Sequence, residues 1–447
     1  MGTAGSRNQE IHDVVGIGFG PSNLSLAIAL EEHQTTSPGQ PVKAAFFEQQ
    51  AEFGWHRNML LPNATMQISF LKDLATFRNP TSRFSFVSYL HAAGRLVQFV
   101  NNQDFFPTRR EFHGYLEWAA AQVADRVSYG SRVTAIRPVP GGVAGVADLL
   151  DVEVSGPTGT RVVRTRNVAV STGLVPRLPA GVTSDERVWH SSEFLAKFGA
   201  ADKAGLRSVA VVGAGQSAAE IARYLHDNLP AAQVSAVVPS YGYTVADDTP
   251  FANQIFDPAA VDEYYFGGAR ARDAFWRYHR NTNYSVVDSD VIRDLFQRTY
   301  DEQVEGAKRL HFRNLTKVAE VRRVGDRTRL VLDALLDGEP QHLDVDAVVF
   351  ATGYDVLDPA RLLGDFDRNF LRDEAGRHQV ERDYRLVSSV ELGCGVYLQG
   401  GTEHTHGLSS SLLSNIAVRS GEIADSIVLR RAEQQLTQER AVVRAAA

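Results

Sequence analysis

The sequence predicts an α/β fold in which two Rossmann-like dinucleotide-binding domains carry a smaller, mainly helical region. An apolar strand that runs into a glycine turn and then an apolar helix occurs twice, and 447 residues exceed what one hydrophobic core supports. Residues 247–299 show neither pattern and are rich in aromatics, Asp and Asn.

The first copy is Val14-Val15-Gly16-Ile17-Gly18-Phe19-Gly20-Pro21-Ser22-Asn23-Leu24, followed by the helical run Leu26-Ala27-Ile28-Ala29-Leu30. Glycines at such a turn let backbone N–H groups and the helix N-terminus face an anion such as a pyrophosphate. One Gly-x-Gly is weak evidence, but two with the right flanking strand and helix are strong. The next strand, Ala44-Ala45-Phe46-Phe47, ends in Glu48, at the spacing of a carboxylate that binds ribose hydroxyls. A solvated strand-end acid is the weaker reading in that setting.

The second copy is Val209-Ala210-Val211-Val212-Gly213-Ala214-Gly215-Gln216-Ser217-Ala218-Ala219-Glu220, with Ile221 and Leu225 at helical spacing behind it. Two further strand-like runs ending in glycine turns, Asn167 to Gly173 and Asp346 to Tyr354, bracket it. The second domain, 176–246 and 300–334, is therefore expected as an insertion in the first, 1–175 and 335–447. Pro176 and Pro179 stiffen one crossing, and the Thr352 to Pro359 segment forms the other. Residues 247–299 are expected to form a helical substrate module, and the Ala- and Arg-rich tail after Arg430 to fray.

A net charge of −7 without a basic run speaks against nucleic acid or an anionic membrane surface as partner. No stretch reaches the length of a membrane span, and the Gly2 to Ser6 match to a myristoylation pattern is of a kind frequent by chance. The single cysteine, Cys394, excludes an internal disulfide framework and multi-cysteine metal sites, which fits the cytoplasm, and it is expected as a small buried thiol. Glu403, His404 and His406 are expected on a strand, where alternation leaves no more than two of them on one face, so no metal site is predicted. With two dinucleotide sites and no cysteine pair, oxygen is the simplest electron acceptor. Chemistry centred on a bound flavin leaves the protein to position groups and exclude water, and no residue is singled out as catalytic.

Specific motifs narrow this further. The runs Met66-Gln67-Ile68-Ser69-Phe70-Leu71-Lys72-Asp73-Leu74 and Asp247-Asp248-Thr249-Pro250-Phe251-Ala252-Asn253-Gln254-Ile255-Phe256-Asp257-Pro258 are two of them. Thr282-Asn283-Tyr284-Ser285, Ala351-Thr352-Gly353-Tyr354, and His404-Thr405-His406-Gly407-Leu408 with Leu412-Leu413-Ser414 complete an ordered set. From about Asp13 to Ile423 the chain resembles the flavin-dependent L-ornithine/L-lysine N-hydroxylating monooxygenases of siderophore biosynthesis.

That resemblance implies FAD, NADPH and dioxygen as cosubstrates, a C4a-hydroperoxyflavin, and hydroxylation of the side-chain amine of L-ornithine. It implies that Lys72 binds the substrate carboxylate, that Asn253 and Asn283 hold the amino-acid backbone and its surroundings, and that Ser414 touches substrate. FAD is expected at Gly16, Gly18, Gly20, Pro21 and Glu48, at Trp55 and His56, at Gln67 and Val133, and at Ser411, Leu412 and Leu413. Core packing is an equal alternative for Trp55 and His56. NADPH is expected at Gly213, Ala214, Gly215, Gln216 and Ser217 and at Asn283, Tyr284 and Ser285. The chain departs from several relatives at Val237-Val238-Pro239-Ser240, where they carry a basic residue for the 2′-phosphate, so NADH stays open as a reductant. The resemblance also suggests a homotetramer or dimer. L-lysine and diamines remain alternative substrates, since one methylene is worth only about 1–3 kcal/mol of discrimination. More distant is a Baeyer–Villiger-type flavin monooxygenase, which would lack the Lys72, Asn253 and Asn283 set.

Overall fold

The computed structural model describes residues 10–36, 41–140, 147–336 and 338–446. Two sheets organise it. In the first, Ile11–Ile17 runs parallel to Ala44–Phe47 on one side and to Gly159–Val170 on the other. Antiparallel Leu150–Gly156 and Arg132–Pro138 extend this seven-stranded sheet, and Gly395–Leu398 returns late in the chain to pair with Gly159–Val170. The central parallel strands are apolar because both their faces are covered. Leu24, Leu26, Ile28 and Leu30 of helix Pro21–Thr36 are fully buried, and each such side chain contributes about 1.5–3 kcal/mol of burial energy. Pro21 starts that helix at a position where a missing N–H costs nothing.

The second sheet has five parallel strands in the order Leu310–Arg313, Gln233–Val237, Ser208–Val212, Ala347–Phe350, Val188–His190. Helices Gln216–Asn228 and Ser289–Glu305 cover one face through Ile221, Leu225, Val291 and Leu295. A three-stranded antiparallel sheet, Thr316–Val324, Arg327–Ala334 and Pro340–Val345, covers the other through Leu330, Leu332 and Val345. The two glycine turns thus lie at the carboxyl ends of parallel strands in both sheets, the usual ligand position in such folds.

Two sequence-derived boundaries move. The apolar run Ala347–Phe350 was expected in the first domain, whose second part was placed from 335, but it hydrogen-bonds to Ser208–Val212 inside the second sheet. Its composition suits either sheet; only the long-range register decides. Helix Ser289–Glu305 spans the expected limit at 299 and packs against the second sheet rather than closing the helical module. The crossings themselves lie where expected. Leu174–Pro176 and Tyr354–Val356 pair as a two-stranded antiparallel ribbon, so both passages between the sheets are tied together.

The intervening module contains Pro250–Asn253, Pro258–Phe266 and Ala269–His279, the first two begun by proline. Ile255 and Phe256 pack against Phe275 and Trp276 and against Leu408 and Leu412 from the end of the chain. The tail is not frayed: helix Ile416–Ala446 continues well past Arg430. Among the described residues no helix is long and apolar enough to cross a membrane.

Candidate functional site

At the first turn, two glycines are required by the protein itself. A Cβ on Gly16 would stand 2.1 Å from the Phe46 ring, and one on Gly18, at φ +80°, would stand 2.3 Å from the Ser171 carbonyl oxygen. Gly20 differs: a Cβ there would meet nothing within 4 Å. The space it leaves open lies over Pro21 at the N-terminus of the helix, a cradle suited to a diphosphate. Glu48 is buried at the end of Ala44–Phe47. Its carboxylate accepts from the Phe19 N–H at 2.6 Å and the Gln50 N–H at 2.8 Å, which fixes it beside the turn. This donor and acceptor set fits the adenosine diphosphate half of FAD.

Trp55 and His56 stand edge to face with ring centroids 4.9 Å apart. Trp55 packs partly on the first core, whereas His56, in left-handed backbone at φ 46°, faces Tyr354 of the domain crossing at 6.4 Å. His56 keeps an open edge, but protein surrounds the rest of the ring; that burial and the nearby Arg109 cation lower its pKa to about 4. Val133 is buried in strand Arg132–Pro138. Ser411 accepts from the Gly401 N–H at 3.2 Å, Leu412 joins the apolar cluster of the helical module, and Leu413 packs on the first core.

At the second turn, a Cβ on Gly213 would stand 2.4 Å from the Ala351 carbonyl oxygen, and Gly215 caps helix Gln216–Asn228. Ala214, Gln216 and Ser217 are half-buried there, and Ser285, at φ 60°, comes within 3.9 Å of where a Gly215 Cβ would lie. This brings the Asn283 to Ser285 segment to the turn, as the NADPH expectation requires. Tyr284 donates to Glu403 at 2.5 Å. Just past strand Gln233–Val237, Ser240 turns its hydroxyl to the Gly242 carbonyl oxygen at 2.7 Å. In register with Val237 on the neighbouring strand lies Arg313, whose buried Nε has no hydrogen-bond partner among the described residues. A cation therefore does stand at this edge, supplied by a strand 76 residues downstream of Val237 (313 − 237) rather than by the loop after it.

Between the turns runs a polar network that no sequence motif announced. Gln67 donates to Asp288 at 2.9 Å, Gln216 donates to Asp288 at 2.8 Å and to Glu220 at 2.9 Å, and Arg109 grips Glu220 with two hydrogen bonds of 2.8 and 2.7 Å. Burial raises the Asp288 pKa, against the hydrogen bond from Gln67. Glu220 is 2% exposed, so this bidentate pair is a buried link between the two domains.

The four residues expected to bind substrate lie on separate elements. Lys72 is half-buried with its ammonium 5.7 Å from the Phe256 ring centroid, and burial lowers its pKa although the Asp257 carboxylate opposes this. Among the described residues its ammonium has no hydrogen bond or ion pair. Asn253 donates to the Asp248 carbonyl oxygen at 2.8 Å and keeps its own amide oxygen free of such bonds. Asn283 ends a short 3-10 turn, and Ser414 is buried. No hydrogen bond joins these four side chains to one another among the described residues; what links Lys72, the Asn253 segment and the Ser414 segment is the apolar cluster of Phe256, Leu408 and Leu412.

Glu403–His406 forms a helical turn, not the expected strand, so alternation does not govern these side chains. His404 bonds the His378 carbonyl oxygen at 2.7 Å, and His406 bonds the Arg382 carbonyl oxygen at 3.1 Å. No group of three metal-ligating side chains converges among the described residues. Cys394 is buried, and burial pushes its thiol up to about 11, which leaves it unreactive near neutrality.

Two sheets, each presenting a glycine turn and a helix N-terminus at the carboxyl ends of its parallel strands, define a two-dinucleotide oxidoreductase. Residues 10–356 match the family model described as L-lysine 6-monooxygenase/L-ornithine 5-monooxygenase, and the chain belongs to that family. It is 38% identical over 424 residues to the L-ornithine N(5)-monooxygenase of Pseudomonas aeruginosa, covering 93% of this chain and 94% of that protein. Its structure is similar to that of an ornithine N-hydroxylase from Kutzneria sp. 744, described with reduced FAD, NADP+ and L-ornithine. The two share 62% identity at a TM-score of 0.91, over 94% of this chain and 100% of the other. An L-lysine 6-monooxygenase from Pseudomonas syringae shares 30% identity at a TM-score of 0.82, over 94% and 99% of the two chains.

Proposed function

We propose that this protein hydroxylates the terminal amine of L-ornithine, consuming NADPH and dioxygen and using bound FAD. The half-buried Lys72 ammonium, 5.7 Å from the Phe256 ring centroid and without an ion pair or hydrogen bond among the described residues, carries the reading. A cation so placed favours a substrate that brings a carboxylate, hence an amino acid over a diamine. The reaction balances with one oxygen atom transferred to nitrogen and the other released as water, the hydride coming from NADPH and one proton from solvent. FAD supplies the oxygen activation; the chain supplies the positions. Glu48 and the first glycine turn hold the adenosine diphosphate half of FAD, and the second turn with Asn283, Tyr284 and Ser285 receives NADPH. Lys72 anchors the substrate carboxylate, and Asn253 and Asn283 offer amide donors and acceptors to its polar backbone. Ser414, buried close behind the apolar cluster, completes the contacts. The product, N5-hydroxy-L-ornithine, suits siderophore or related peptide biosynthesis. Consistent with its lone buried thiol, the enzyme is assigned to the cytoplasm, as a dimer or tetramer of identical chains.

The test incubates the purified FAD-loaded protein with NADPH or NADH in air and measures hydroxylamine product from L-ornithine, L-lysine, putrescine and no amine. Product from ornithine, well above that from lysine or putrescine, is expected. Oxidation of NADPH that yields only hydrogen peroxide in every arm overturns the proposal.

A further inference from the structure

Helix Ile416–Ala446 carries an arginine that is almost wholly enclosed. Arg419 is 1% exposed, and no ion pair to a carboxylate is found among the described residues. The nearest acid that bears on it, Glu422, is taken up by Arg382 through two hydrogen bonds of 2.9 and 2.8 Å. Enclosing a guanidinium without a counter-charge costs several kilocalories and is retained where a ligand supplies the charge.

Its surroundings indicate which ligand. One guanidinium nitrogen donates to the Ser410 carbonyl oxygen and the other to the Ser22 hydroxyl at 3.1 Å, while Nε is buried with no partner. Ser22 is the second residue of helix Pro21–Thr36, two positions after Gly20, whose missing Cβ leaves the open cradle. Ser410 lies in the turn Leu408–Ser411, which follows the strand Gly395–Leu398 that returns to the first sheet. In that return segment the Thr402 hydroxyl, the Ser410 hydroxyl and the Asn415 amide oxygen are also buried without hydrogen-bond partners. A diphosphate is the one part of FAD that brings two negative charges and several acceptor oxygens to a helix N-terminus.

We propose that Arg419 is the buried counter-charge for the FAD diphosphate and the tie that holds the return segment, and with it Ser414, against the first turn of helix Pro21–Thr36. The inference rests on the flavoenzyme reading above and adds a residue to it from the opposite end of the chain.

Apoprotein is titrated with FAD, following quenching of flavin fluorescence, for the natural protein and for Arg419→Gln, Arg419→Lys and Ser22→Ala. NADPH affinity and far-UV circular dichroism of each apoprotein report whether the remainder is intact. Loss of the buried positive charge behind Ser22 predicts FAD affinity about 10- to 100-fold weaker for Arg419→Gln. Arg419→Lys, which keeps the charge but not the guanidinium fork, is expected to bind FAD with an affinity between those of the natural protein and Arg419→Gln, with NADPH affinity unchanged throughout. A folded Arg419→Gln that binds FAD as tightly as the natural protein overturns the proposal, as does an Arg419→Lys variant as weak as Arg419→Gln. Should Arg419→Gln not fold, Ser22→Ala decides. A roughly threefold or greater loss of FAD affinity is expected from the severed hydrogen bond, and none refutes the tie. Failure of the natural apoprotein to bind FAD at all is a different result, and it overturns the flavoenzyme reading itself.

Discussion

Replacing Lys72 by alanine removes the cation assigned to the substrate carboxylate and leaves the two dinucleotide turns untouched. At about 4 Å, with an effective dielectric near 20 for a half-buried pair, the attraction between that ammonium and a carboxylate is about 4 kcal/mol. Desolvation of both groups takes back part of it, leaving about 1.5–3 kcal/mol, typical of hydrogen bonds to charged groups. At 1.4 kcal/mol per tenfold, half-saturation by ornithine should rise about 10- to 150-fold. Anaerobic rapid mixing with NADPH should show flavin reduction at close to its natural rate, because Lys72 touches neither glycine turn. In air the variant should divert NADPH to hydrogen peroxide at low ornithine and recover product at high ornithine. A Lys72→Ala protein with the natural ornithine dependence refutes the assignment, and slowed flavin reduction refutes the claimed separation between substrate and nicotinamide sites.

Other consequences follow from groups away from Lys72. Arg109→Met leaves the 2%-exposed Glu220 carboxylate without its bidentate partner, which should cost about 3–5 kcal/mol and lower the urea midpoint of unfolding. An Arg109→Met, Glu220→Leu double variant should regain part of that loss, and a single variant as stable as the natural protein contradicts the buried link. Burial alone would raise the pKa of Glu302, but His226 at 2.7 Å and the N–H groups of Leu310 and Arg309 outweigh it and hold the carboxyl below its usual value of 4.5. The native state thus binds fewer protons than the unfolded chain, so this contribution is present above about pH 4.5 and is lost as pH falls through the lower folded value. In Glu302→Gln the acid side of the stability profile should flatten, as read by urea midpoints from pH 3 to 7. Arg313→Ala should weaken NADPH about tenfold or more while leaving NADH nearly unchanged, since only the former brings a phosphate for the cation. Equal losses for both reductants would place Arg313 elsewhere.

Local chemistry explains what the sequence made legible. The two glycine turns, Glu48 and the helix behind each turn are short-range patterns set by backbone geometry, and each is found in the predicted role of strand end, turn or helix start. Strand Ala347–Phe350 was assigned to the wrong sheet because an apolar run records burial on two faces but not which neighbours provide it. The Glu403 to His406 turn was misread as strand because its His and Glu residues suit either backbone, and the capping geometry that decides is tertiary. The Arg109, Glu220, Asp288 and Gln67 network joins residues up to 221 positions apart, and none of them belongs to a motif that names its partner. Arg313 was invisible for the same reason. Parallel pairing, not proximity along the chain, brings its cation into register with Val237.

The central claim is that oxygen from dioxygen is transferred to the side-chain nitrogen of ornithine. The most direct measurement supplies the FAD-loaded protein with NADPH, L-ornithine and heavy-isotope dioxygen and weighs the product by mass spectrometry. Hydroxyornithine carrying one heavy oxygen atom, formed in near equivalence to NADPH consumed, is the predicted result. Consumption of NADPH matched by hydrogen peroxide, or a product whose oxygen is light and therefore drawn from water, would contradict the account.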